Sequence, residues 1–76
     1  MSAIMELALL TQQIAEQEKK MPQDAKTLAA LYKKRGELLR QMGDMKGAEA
    51  DARKFIALDP EAAKAMTGKF EAKGTE

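Results

Sequence analysis

The chain contains no cysteine and no histidine. Without cysteine there can be no disulfide and no thiolate metal site, and a reducing compartment is the fitting environment. Without histidine, the commonest metal ligand and the usual general base at neutral pH are both missing. Tryptophan is absent as well, and aromatic residues make up only 4% of the 76 positions. β-Branched residues are similarly scarce, so the composition disfavours strands. No sign of charge dominates: 13 Lys plus Arg oppose 12 Asp plus Glu, leaving a net charge of +1. That balance lacks the electrostatic footprint of a nucleic-acid binder or an anionic-membrane binder. There is no long hydrophobic run either. The opening MSAIMELALL has no basic region before it, is interrupted by Glu6 and is followed at once by polar TQQ. Neither a signal peptide nor a membrane span is expected. Cytoplasmic residence follows as the expectation, a fragment of an exported periplasmic protein being the alternative.

What is present is rich in Ala, Leu, Met, Glu, Lys and Gln, all strong helix formers, with apolar residues recurring at helical spacing. The expected fold is all-α: a single domain over residues 1–76, with helices at about 3–20, 25–42, 45–58 and 61–72. At this size one core supplies only about 3–5 kcal/mol, so stability is expected to be marginal.

Ser2 can cap the first helix, and Met21-Pro22 ends it because the residue before proline is pushed out of the α region. Its apolar stripe is Ala3, Leu7, Leu10, Ile14 and Met21, with Gln17 as the polar member. Ile4, Met5 and Leu9 widen that stripe. Burial between two neighbours accounts for the excess most simply, and contact with another chain is the alternative. Asp24 can cap the second helix, whose buried face is expected to hold Leu28, Leu31, Tyr32, the stem of Arg35, Leu38, Leu39 and Met42. Lys33, Lys34, Glu37 and Arg40 point outward. Gly36, mid-helix, costs about 1 kcal/mol relative to Ala, and close approach of a neighbouring helix is the usual compensation.

Gly43 stops that helix and Asp44 can cap the next, so the short turn forces an antiparallel hairpin. The third helix presents Met45, Ala48, Ala52, Phe55, Ile56 and Leu58, with Ala48 as the small partner for Gly36. Asp59-Pro60 ends it. A fourth stretch carries Ala63, Met66 and Phe70 on one side, with fraying expected after about residue 72.

Tyr32, Gly36, Leu39, the Gly43-Asp44 turn, Ala48 and the closing Asp59-Pro60 together resemble one tetratricopeptide repeat over residues 29–60, a helix-turn-helix unit of about 34 residues. Two positions are exchanged: Ala52 stands where a large residue is usual, and Phe55 where a small one is. Arg35 replaces the common Leu before the glycine. In this family the small residue receives the next repeat, so Phe55 implies an unlike neighbour. The resemblance implies a non-catalytic module that binds a partner protein or peptide. Its groove-facing positions would be Lys33, Glu37, Arg40, Gln41 and Ala30. A clamp for a partner's C-terminal carboxylate is rejected, because Glu37 occupies the position where Asn is expected and would repel the carboxylate. Lys33, Glu37 and Arg40 could equally be a solvated face, with Glu37 paired to Arg40 at i, i+3. The first helix, ending at Pro22 as the third ends at Pro60, is a weak echo of a preceding unit.

Repeats of this kind bury a continuous core by stacking, normally about three or more. A lone unit implies wrapping by the flanking helices, association of two chains, or a purely structural place as fragment or cap of a longer array. Six Met residues and the wide first-helix stripe favour self-association, with Ile4, Leu7, Leu10 and Ile14 as the candidate surface. Catalysis is not expected. The glycines fit neither phosphate-binding fingerprint, no nucleophile and base can be assembled, and Glu49 and Asp51, two apart on a helix, do not face each other. No cofactor or metal is implied. A nucleic-acid-binding regulator is a remote alternative, because Glu49 and Asp51 oppose Arg53 and Lys54 on the third helix.

Overall fold

The computed structural model describes residues 2–66. Three helices, α1 (Ala3–Lys19), α2 (Ala25–Gln41) and α3 (Met45–Leu58), are followed by a helical segment at 60–66, and the fold is all-α. The part of the expected fourth helix beyond residue 66, with Phe70, lies outside the described residues.

Each helix begins where the sequence supplies a cap. The Ser2 hydroxyl accepts from the Met5 N–H at 3.2 Å, Asp24 from Thr27 at 3.2 Å and Asp44 from Gly47 at 2.9 Å. Asp59 accepts from Ala62 at 3.3 Å, with Pro60 opening the segment it caps. The Thr27 contacts also hold the Asp24 carboxyl below its usual range. Between α2 and α3, Gly43 adopts φ +91°. Its N–H donates to the Arg40 carbonyl at 3.0 Å and the Asp44 N–H to the Leu39 carbonyl at 2.8 Å. This nested pair of bonds satisfies carbonyls in the last turn of α2 and turns the chain through a left-handed conformation that glycine adopts without strain.

The three helices run antiparallel in chain order. Arg35 meets Asp51 and Gly36 meets Ala48 across α2 and α3, whereas Glu18 meets Tyr32 and Thr11 meets Arg35 across α1 and α2. The core is small: Ile14, Leu28, Ala29, Tyr32, Phe55 and Ala63 are buried together, with Leu31, Leu58 and Ala62 packed on their margin. Ala29, Tyr32 and Gly36 form the seam of α2 at spacings of three and four. A methyl group placed on Gly36 would lie 3.2 Å from the Asp51 Cβ and 3.4 Å from the Ala48 carbonyl oxygen. The helices are therefore close here because the side chain is hydrogen, as the sequence led us to expect.

Several apolar residues sit elsewhere than expected. Met21 is 89% exposed because α1 ends before it. Met42 is the residue capping the end of α2, and its side chain leaves the seam with the turning backbone. Met45 and Ile56 on α3 are more than half exposed, and Ala52 is exposed, since α3 directs a narrower stripe at α2 than its apolar content suggested. Ile4, Met5 and Leu9 are likewise exposed. No helix among the described residues is long and apolar enough to cross a membrane.

Candidate partner-binding groove

Among the described residues the deepest polar feature lies between α2 and α3. Asp51 is buried to 3% exposure. Its two carboxylate oxygens accept from Nε and Nη2 of Arg35, both at 2.7 Å. This is a forked pair, the geometry in which a guanidinium and a carboxylate satisfy each other best. The hydrogen bond to Asp51 raises the Arg35 pKa further above its already high ordinary value. The guanidinium carbon lies 5.4 Å from the centre of the Tyr32 ring, and Nη1 reaches toward the Thr11 hydroxyl at 3.4 Å. The Tyr32 hydroxyl in turn donates to the Glu18 carboxylate. One polar chain thus ties α1, α2 and α3 together.

Burial, and then the bond to Glu18, push the Tyr32 pKa up to about 12. A folded pKa above the unfolded value means that the folded state holds the proton more tightly. This contribution to stability is complete below about pH 10 and is lost as pH rises from there through about 12. Tyr32→Phe, which has no proton to lose, should show a shallower fall in unfolding free energy over that window. Urea titrations followed by circular dichroism at pH 8 to 12 measure the difference, and parallel slopes would refute the assignment.

Above this network, α2 and α3 enclose a groove of about 370 Å³. Tyr32, Gly36, Ala48, Ala52 and Phe55 form its floor, Met66 closes one end, and Lys33, Glu37 and Arg40 stand along the α2 side. A shallower depression of about 360 Å³ continues past Arg40, Ala48 and Ala52 to Met45, Lys46 and Glu49. Small residues make the concavity: Gly36, Ala48 and Ala52 leave the space that larger side chains would fill. Glu37 and Arg40 are exposed and Lys33 is half-buried by its stem.

Three of the five groove positions expected from sequence are therefore together on one rim, and Ala30, exposed on α2, is not among the lining residues. Gln41 is exposed on the last turn of α2 and is not among the lining residues. The Glu37–Arg40 pairing is not made; among the described residues the ion pairs are Arg35–Asp51 and, on the exposed face of α3, Arg53–Glu49 at 3.6 Å. Of the candidate self-association residues, Leu10 and Ile14 are buried within the chain at 5% and 3% exposure, because they are the positions of α1 that face α2. Leu7 is half-buried, which leaves Ile4 as the exposed member. Ala29 and the Asp51 partnership were missed. The signal for the second was a cation where the pattern calls for Leu, sixteen residues before an acid on the facing helix.

Comparison with protein-family models, with curated proteins and with solved structures gives no match to the chain.

Proposed function

We propose that this protein is a non-catalytic interaction module built on one tetratricopeptide-like helix pair, and that it holds a helical segment of a partner protein along the α2–α3 groove. The observation that supports this reading is the groove itself. A floor of Gly36, Ala48 and Ala52 between two antiparallel helices accepts the ridge of a third helix, and Tyr32, Phe55 and Met66 supply apolar contact. Along the rim Lys33 and Arg40 outnumber Glu37. A segment with a small-residue apolar face flanked by acidic side chains complements that rim. The lack of histidine and cysteine is consistent with a binding rather than a catalytic role.

The test uses labelled amphipathic helical peptides with one Ala/Leu face and either acidic or basic flanks, read by fluorescence anisotropy. The acidic set is expected to bind more tightly. Reversing both rim charges, Lys33→Glu with Arg40→Glu, should weaken that binding about tenfold at low salt while leaving helicity unchanged, since exposed charges contribute up to about 1 kcal/mol each. Equal binding of both sets, or binding indifferent to the reversal, would sink the reading.

A further inference from the structure

Helix α1 carries a second surface, on the side turned away from α2. Leu10 and Ile14 face α2, and at about 100° per residue Met5, Ala8, Leu9 and Gln12 fall on the opposite side, with Ile4 at its edge. Ile4 is 71%, Met5 60% and Leu9 46% exposed. The helix packs mainly on α2, and the exposure of these side chains shows that nothing within the described residues covers this face. It is also poor in charge: from Ala3 to Ala15 the only ionised side chain is Glu6, in a chain that is 33% charged. Glu6 lies to the side of the apolar patch rather than within it. Depletion of charge around exposed apolar side chains marks the centre of a protein interface rather than an ordinary surface.

We infer that α1 is a homodimerisation helix, pairing antiparallel with α1 of a second copy about a two-fold axis beside Ala8. Three features of the face fit a copy of itself. First, an axis at Ala8 brings that small residue against its own copy, which lets the helices approach closely, and sets Met5 of each chain toward Leu9 of the other. Second, Glu16 continues the Met5–Leu9 stripe at helical spacing. In this arrangement it falls just beyond the N-terminus of the partner's α1, where the exposed N–H groups favour a negative charge. Third, the three large side chains expose on the order of 370 Å² per chain, and with Ala8 and Gln12, which the same spacing places within the face, the total is about 1,000 Å² for two copies, the size of a weak interface. An interface of that size fits a weak dimer that dissociates on dilution. An anionic membrane is a poorer occupant: the first basic residue of α1 is Lys19, and the face is flanked by Glu6 and Glu16. This inference concerns a different surface from the α2–α3 groove and does not depend on what that groove holds.

The experiment is sedimentation equilibrium of the full chain from 1 to 300 μM, joined to disulfide trapping in this cysteine-free background. The expected mass rises with concentration from 8.4 kDa toward twice that value. Ile4→Lys with Leu9→Lys should remain monomeric throughout with unchanged helicity, because both residues are exposed. Lys33→Glu with Arg40→Glu, which disables only the groove, should dimerise like the parent. Under mild oxidation Ala8→Cys should cross-link at least tenfold faster than Lys34→Cys, an exposed position on α2. A monomer at 300 μM, a dimer that survives the α1 lysines, or equal cross-linking of the two cysteines would each overturn the proposal.

Discussion

Replacing Arg35 by Ala is expected to destabilise the protein by about 3 kcal/mol, which in a domain of this size removes most of the folded population at 37 °C. The cost arises on the other side of the pair. Asp51 stays buried at 3% exposure, on a helix held close to α2 by Gly36, with both carboxylate oxygens suddenly without donors. A carboxylate stripped of its donors in that position is left in a poorly hydrated site with nothing to replace them, which is unfavourable. The figure lies at the lower end of the range for buried ion pairs because the Arg35 side chain keeps 21% of its exposure, and water can partly replace it. Arg35→Lys should recover only part of the loss, since a point charge cannot donate to both oxygens at 2.7 Å. Arg35→Met combined with Asp51→Leu should be far less damaging than either single change, because removing both partners leaves no stranded charge. Urea unfolding followed by circular dichroism measures the parent and all five variants. An Arg35→Ala unfolding free energy within about 0.5 kcal/mol of the parent would show that the pair is merely peripheral.

That pair also marks where sequence reading stopped. Helix periodicity and cap residues are local signals, and Ser2, Asp24, Gly43 and Asp44 each act at the position their chemistry implies. Gly36 could be read because its cost has few remedies, and its neighbour Ala48 is small enough to supply one. Asp51 could not be read in the same way. An acid in the middle of a helix is ordinarily solvated, and its burial depends on the rotation of α3 about its own axis, which the apolar stripe determines only to within about one residue's turn. The same uncertainty explains Ile56, Met45 and Ala52: a small turn of the helix moves them outward and Asp51 inward. On α1 the sequence showed too many apolar residues for one face, and the structure divides them into Leu10 and Ile14 toward α2 and Ile4, Met5 and Leu9 toward solvent. The groove was legible as a face of α2 carrying Lys33, Glu37 and Arg40. Its floor on α3 was not, because a concavity is made by the side chains that are missing from it.

Phe55→Ala carries the largest expected effect, about 3–4 kcal/mol, and should leave the chain without a cooperative thermal transition. Phe55 is 8% exposed and packs within the cluster of Ile14, Leu28, Ala29, Tyr32 and Ala63, so its ring holds α2, α3 and the 60–66 segment on one core. Truncation removes that contact area and leaves a void bordered by the open groove. The opening lets water or neighbouring side chains relieve some of the cavity, which keeps the cost below the upper limit for aromatic truncation. The adjacent residue provides the control. Ile56 is as apolar and is next in sequence, yet 52% exposed, and Ile56→Ala should fall within about 0.5 kcal/mol of the parent. Phe55→Leu, which refills most of the volume, should cost about 1–1.5 kcal/mol. The contrast bears on function as well as stability. If a small residue were suited to this position, Phe55→Ala would be tolerated and the groove would simply deepen to receive a larger ridge. Unfolding of Phe55→Ala beside a native-like Ile56→Ala would instead show that this position holds the chain's own core together and that the groove above it is formed only while Phe55 fills its floor.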